Sequence, residues 1–443
     1  MIRKIALTLL PALLMLCSCK KTHFDKAKLD SYLDTLNTRN LNMGSIAIAE
    51  NGTIVYQKAT GYSELGDHRK FPVDIKTRYK IGSITKMFTA VIIFQLIEEG
   101  KLKLNTTLDR YFPQVPNAGK ITVAEMLDHR SGLYNFVKDS LYATYYRKPM
   151  PESAMVDIFS KQKASFEPDS RADYSNTNFV LLGYIIEKIT GKSYSDELKQ
   201  RITAKIGLED THYQEKSDPS KNIASSYNYS SQWMQAPETD PSIPGGAGSI
   251  VSTPTDLVKF GDALFAGKLI SEANLENMKT MKENYGMAMF SFSMDGQDGY
   301  GHTGGIDGFS SELVYIPATK MAIAYTSNGA RYSVDKVVTD ILNIYNNKAV
   351  KIPEFKTVTL NSATLNRYLG RYSSTDVSWK LTIIKNNNTL IGQTSGGMPY
   401  PLDALDSDKF IHHQTGITLY FDTIRHTLKL TQGDSVYFFT KTK

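Results

Sequence analysis

Apolar and polar positions alternate with two different periods along this chain, and the change of period marks its elements. From about Phe24 to Asn40, Leu29, Tyr32, Leu33 and Leu36 recur at helical spacing, which predicts an amphipathic helix. Ser45 to Glu50 and Thr53 to Lys58 are strand-like runs joined by Asn51-Gly52, the dipeptide suited to the positive φ angles of a type I′ hairpin turn. Tyr79 to Ser83 then leads into an apolar helix through Met87, Phe88, Val91, Ile92, Phe94, Leu96 and Ile97, ending near Gly100. From about Leu104 to Leu208 the pattern is mostly helical and interrupted by Pro and Gly, with Asn178 to Thr190 its clearest helix. Thr255 to Phe265 predicts another helix, Phe309 to Tyr315 and Met321 to Ser327 a pair of strands, and Val334 to Tyr345 a closing helix. The fold class expected is α/β of the α+β kind: an antiparallel sheet flanked by helices, with an inserted all-helical region.

The polar stretch Asn346 to Phe355, with its proline, reads as a linker. Beyond it short alternating runs recur at Lys380 to Ile384, Thr389 to Thr394, Lys409 to His412, Thr418 to Phe421, Thr427 to Thr431 and Val436 to Thr440. Turn residues separate them, as in a small antiparallel barrel or sandwich. The expected organisation is a leader over 1–18, a main domain over 19–350 and a β-domain over 351–443.

Composition narrows the function classes. Of 443 residues, 41% are hydrophobic and 22% charged, ordinary for a globular protein. The net charge of +6 is small for this length, and no run of Lys and Arg interleaves with aromatics, so nucleic acid is not an expected partner. Arg3 and Lys4 precede the apolar run Ile5 to Leu16, long enough for a secretory signal and too short to span a bilayer. Leu16-Cys17-Ser18-Cys19 follows and resembles the lipobox of bacterial lipoproteins. That resemblance makes Cys19 the lipidation site and the protein an exported one, anchored in a membrane and facing the periplasm or cell surface. An ordinary cleaved signal with two incidental cysteines is the alternative. Cys17 and Cys19 are the only cysteines, so no disulfide is expected within the mature domain.

The candidate chemistry begins with Ser83-Ile84-Thr85-Lys86 at the start of an apolar helix, where a three-residue offset puts both side chains on one face. A serine hydroxyl needs an adjacent base, and a lysine serves if it is neutral. A helix N-terminus disfavours positive charge and stabilises an oxyanion. The spacing alone is unselective, since Ser18 with Lys21 and Ser160 with Lys163 share it. Tyr174-Ser175-Asn176 precedes a helix, and His302-Thr303-Gly304 precedes the paired strands. A phenol beside a lysine ammonium is expected to have a lowered pKa and to pass protons, and Asn176 is placed to bond a substrate amide. Gly301, Gly304, Gly305 and Gly308 suggest a strand that a ligand backbone approaches. The backbone N–H groups of Ser83 and of Gly305, the residue after Gly304, form a candidate oxyanion hole.

Together these segments resemble the Ser-x-x-Lys, Tyr-x-Asn and Lys/His-Thr-Gly motifs of the serine β-lactamase and penicillin-binding protein superfamily, in its class C branch. Leu127-Asp128-His129-Arg130-Ser131-Gly132-Leu133 and Gly245-Gly246-Ala247-Gly248 through Thr253 and Asp256 look like further landmarks of that family, and the tail resembles its appended lipocalin-like β-domains. The resemblance implies that Ser83 is nucleophile, Lys86 base and Tyr174 proton shuttle, with Asn176, His302, Thr303, Gly304 and Gly305 around the substrate and oxyanion. No cofactor is implied. Histidine stands at 302 where class C β-lactamases usually carry lysine, which favours peptidase or esterase chemistry on D-Ala-D-Ala peptides, D-amino-acid peptides or small esters over efficient β-lactam hydrolysis. A true class C β-lactamase and a non-catalytic binder of penicillin or cell-wall peptide are the alternatives. No Gly-x-Ser-x-Gly elbow occurs, and the eight histidines are scattered, with His412 and His413 expected on opposite strand faces. No metal site is expected, and His129 reads as a structural histidine in a turn.

Overall fold

The computed structural model describes residues 24–66, 70–230, 232–351, 357–395 and 399–442. The expected signal segment, Cys17 and the expected lipidation site Cys19 lie outside the described residues, as does part of the expected linker.

Helix α1 (Lys26–Thr38) leads into the hairpin of β1 (Asn42–Glu50) and β2 (Thr53–Thr60). Its turn is the one the dipeptide demands, with Asn51 at φ 50° and Gly52 at φ 75°. After a short strand at Tyr79–Lys80 comes α2 (Thr85–Glu98), and later α3 (Asn176–Thr190) and α4 (Pro254–Phe265). Strands β3 (Phe290–Met294), β4 (Gln297–Ile306), β5 (Phe309–Ile316) and β6 (Met321–Ala330) follow, then α5 (Val334–Tyr345). The six strands form one antiparallel sheet in the order β3-β4-β5-β6-β1-β2.

Both faces of this sheet are covered. On β1, Ile46 and Ile48 pack with Leu29, Leu33, Val337 and Ile341 of α1 and α5. Ala47 and Ala49 on the other face pack with α2 and α4, where Phe88 stacks on Phe260 at a centroid distance of 3.8 Å. Small residues on that face let the helices come close to the sheet. Helix α2 is apolar almost all round because α3, α4 and the sheet enclose it.

The C-terminal region closes an eight-stranded antiparallel barrel: β7 (Gly370–Ser373), β8 (Leu381–Asn386), β9 (Thr389–Thr394), β10 (Tyr400–Asp406), β11 (Lys409–His412), β12 (Ile417–Asp422), β13 (Thr427–Gln432) and β14 (Ser435–Thr442). Pairing of Arg371 with Thr442 and Tyr372 with Lys441 closes it, around Tyr368, Phe410, Leu419, Leu430 and Phe439. Six of the eight match the sequence pattern. Strand β7 carries a single buried apolar side chain, Tyr372, and β10 contains Pro401 and buries only Leu402, so both owe their conformation to their neighbours in the barrel. The inserted region is less helical than its pattern suggests, being largely short helices and 3-10 turns joined by loops.

His412 and His413 do not oppose each other as expected: β11 ends at His412, and both rings line one cavity between barrel and main domain. There Arg331 Nη2 lies 2.5 Å from Asp403 Oδ2, and Gln414 Nε2 donates to Ser310 Oγ at 3.2 Å.

Truncating Phe88 to alanine removes one face of the Phe88–Phe260 stack in a site with no room to collapse. It is expected to cost ~3–5 kcal/mol of unfolding free energy, measured by denaturant titration.

Candidate active site

The chain reaches Ser83 through a tightly fixed approach. Tyr79 and Lys80 pair with Ser252 and Val251, and the Ile81 N–H donates to Ile250 O at 3.0 Å. One 3-10 turn, Gly82–Ile84, then hands over to α2. Gly82 has φ 50°, and a Cβ there would stand 2.8 Å from the Gly305 nitrogen. Glycine is therefore what lets the serine turn lie against β4. Ser83 is half-buried at the helix start.

Lys86, one turn on, is fully buried. Its Nζ lies 2.8 Å from Asn176 Oδ1, 2.8 Å from Ala247 O and 3.0 Å from Ser83 Oγ. Burial holds its pKa well below the ordinary lysine value, since no carboxylate neighbour is among the causes and desolvation disfavours the charged form. A neutral amine has two N–H groups and one lone pair. The two carbonyl oxygens take the N–H groups, which leaves the lone pair facing the serine hydroxyl. Ala247 belongs to the Gly245–Ala247 turn, so one landmark of the sequence supplies a backbone acceptor that no side-chain motif reveals.

Tyr174 immediately precedes Ser175, the N-cap of α3. Its ring centroid is 4.9 Å from Lys86 Nζ, and its phenol is hydrogen-bonded to Ser83. The lowered phenol pKa expected from sequence is reversed: burial pushes Tyr174 up, outweighing the bond to Ser83. A neutral Lys86 provides no ammonium field to lower it. The phenol thus stays protonated, a donor rather than a base.

Asn176 begins α3, two residues earlier than the pattern suggests. Its Oδ1 is held by Lys86, and its Nδ2 donates to Asn135 Oδ1 at 3.3 Å. Its main partner is the lysine. Behind Tyr174 the ring of His129 stacks at 4.3 Å and 32°, and its Nδ1 accepts the Ser175 N–H at 3.2 Å. His129 has φ 62° and is 2% exposed; burial keeps it neutral. The turn expected of His129 is present, and it positions Tyr174. Spacing gives no hint of this contact, because 45 positions of sequence number separate the two rings.

His302 lies on β4 and is 2% exposed. Burial pushes its pKa down to about 3. Its ring packs on Phe290 at 4.5 Å and stands 6.3 Å from Tyr174. Nδ1–H donates to Thr303 O at 2.5 Å. Strand β3 stops where Phe290 faces Gly301, so β3 leaves the edge of β4 from His302 to Ile306 uncovered. Thr303 is half-buried there and Gly305 exposed.

The glycines of this stretch have a different cause from the expected one. A Cβ on Gly304 would meet Ile81 O at 2.0 Å, on Gly301 Leu313 O at 1.8 Å, and on Gly308 the Tyr227 backbone at 2.8 Å. The protein's own backbone crowds these three. Gly305 alone among them has open space, with nothing within 4 Å. The Gly304 contact holds β4 against Ile81, and with it Gly305 beside the Ser83 turn.

With this geometry in place, the comparisons define the class of protein. Residues 29–344 match the Beta-lactamase family, and the chain belongs to it, as a serine hydrolase related to penicillin-binding proteins. It is 27% identical over 375 residues to penicillin-binding protein 4* of Bacillus subtilis, spanning 78% of this chain and 82% of that protein. Over 249 residues it is 29% identical to the teichoic acid D-alanine hydrolase of Staphylococcus aureus, 55% of this chain and 58% of that protein. Among solved structures, the D-amino acid amidase of Ochrobactrum anthropi SV3 superposes with a TM-score of 0.65 at 28% identity, covering 72% of this chain and 98% of its own. An octameric penicillin-binding protein homologue from Pyrococcus abyssi, 24% identical, has a TM-score of 0.65 over 94% of this chain and all of its own, a likeness of fold.

The charge states set the pH dependence. With Lys86 as the expected base, acting as the neutral amine, kcat/KM for a small ester is expected to rise with pH as Lys86 deprotonates. Tyr174, raised above its ordinary value of 10.0, delays any alkaline fall, and His302 adds no limb between about pH 5 and 9. A pH–rate profile checks this; a limb near 6.5 that vanishes on replacing His302 contradicts it.

Proposed function

We propose that the protein cleaves amide bonds of peptides or D-amino-acid derivatives through an acyl-enzyme on Ser83. The observation that carries this is the Lys86 amine, its two N–H groups taken by Asn176 and Ala247 and its lone pair left for Ser83. In acylation Lys86 takes the hydroxyl proton as Ser83 Oγ attacks the substrate carbonyl carbon. The carbonyl oxygen, now an oxyanion, is met by the backbone N–H groups of Ser83 and Gly305. Tyr174 gives its proton to the departing amine and regains one from the Lys86 ammonium. Water then attacks the acyl carbon as Lys86 takes its proton, the bond from that carbon to Ser83 Oγ breaks, and the proton passes to Oγ, which frees Ser83.

The substrate reading draws on the relatives, which include a teichoic acid D-alanine hydrolase and a D-amino acid amidase. It draws equally on His302, whose neutral ring offers a carboxylate less than an ammonium does. D-amino-acid amides and peptides therefore fit better than β-lactams.

Replacing Ser83 with alanine is expected to lower p-nitrophenyl ester hydrolysis at least about a thousandfold with an unchanged unfolding midpoint; retained hydrolysis removes the nucleophile. Placing lysine at 302 is expected to raise kcat/KM for nitrocefin about tenfold while lowering that for a D-amino-acid amide.

The leader motif supports export and attachment through Cys19. Acyl chains there stabilise membrane binding by about 0.8 kcal/mol per buried methylene. Metabolic labelling with a fatty acid, lost on Cys19→Ala, is the expected result, and labelling that survives the substitution removes Cys19 as the site.

A further inference from the structure

A cavity of about 450 Å³ lies between the barrel and the turn that ends β4. Its walls include Asp307 and Tyr229 of the main domain, and Tyr400, Asp403, His412 and Asn386 of the barrel. Its charged groups already have partners. Asp403 pairs with Arg331, whose guanidinium lies 3.7 Å from the Tyr229 ring centroid, and Asp307 lies 3.2 Å from buried Lys80, which also pairs with Glu238 at 3.0 Å. Burial pushes His412 and His413 down to about 4, so both rings are neutral. The cavity is aromatic, and its charged groups are held by partners.

Its place relative to the chemistry follows from the proton donor. Tyr174 stands at the His302 end of the open β4 edge, so the leaving amine sits at that end. The acyl side of the substrate must then run the other way, past Gly305 to Ile306 and Asp307. A strand rises about 3.3 Å per residue, which puts Asp307 about 7 Å beyond Gly305, the reach of two substrate residues.

We infer that this cavity is the remote acyl-side subsite of the cleft, shaped for an uncharged, N-blocked peptide segment two or more residues from the scissile bond. This rests on the acyl-enzyme reading above and narrows its substrate to oligopeptide amides. Aromatic walls take the segment's apolar surface, so the barrel acts as part of the binding site. Binding energy gained there is remote from the reacting bond and is available to hold the reacting carbonyl in place.

The test uses the full chain and two p-nitroanilides, of D-alanine and of acetyl-Ala-Ala-D-alanine. The longer substrate is expected to show kcat/KM about tenfold higher. Asn386→Trp, at an exposed position on the barrel rim, fills the mouth and is expected to bring the two substrates within about twofold of each other without changing the shorter one. Equal kcat/KM for both substrates in the unaltered protein, or an Asn386→Trp loss shared equally by both, overturns the subsite while leaving the catalytic reading intact. Absence of turnover on both, with Ser83 unlabelled by a fluorophosphonate, removes the catalytic reading and the subsite with it.

Discussion

The burial of one amine organises this site. A lysine with no exposed surface and no carboxylate beside it is held neutral by the cost of taking a charge out of water. Two carbonyl oxygens from distant parts of the chain, one on the first residue of α3 and one in the Gly245–Ala247 turn, fix which way its lone pair points. Everything nearby is consistent with that neutrality. Tyr174 remains protonated, and His129 and His302 carry no charge. The site is poised by exclusion of water rather than by pairing of charges.

Close backbone approach does the remaining work. The serine turn, the start of α2 and strand β4 meet at Gly82 and Gly304, where a methyl group would collide with the Gly305 nitrogen or the Ile81 carbonyl. Those contacts bring the Gly305 N–H beside Ser83, and the early end of β3 leaves the adjacent edge uncovered. A sheet with both faces buried gives this junction its rigidity, because α2 cannot shift without disturbing Ala47, Ala49 and Phe260. The barrel, tied by Arg331 to Asp403 and by Gln414 to Ser310, sits where the same strand turns back.

Much of this was legible in the order of residues, and the parts that were not share a cause. Local signals carried the hairpin at Asn51-Gly52, the helix at Val334–Tyr345 and six barrel strands, because turn chemistry and apolar period act over a few residues. Strands β7 and β10 were hidden, since their few buried side chains leave no period to read. His129 was seen as a turn residue and is one, yet its stacking on Tyr174 depends on the packing of two loops. Gly301 and Gly304 lie on a strand as expected but for another reason, whereas Gly305 has the open space a ligand needs, because a sequence cannot say whether a ligand or the protein's own backbone fills the space above a glycine.

By itself the sequence determined which groups were available: a serine and a lysine one turn apart, a tyrosine ahead of a helix and a histidine on a glycine-rich strand. Helical geometry alone made the first pair neighbours. Only the tertiary structure decided their charge states and directions, since both depend on what surrounds them. Desolvation neutralised Lys86 and raised Tyr174, reversing the shift expected of a phenol next to an ammonium. Protonation is settled by the dielectric and the partners at a point in space, and residues far apart in the chain supply both.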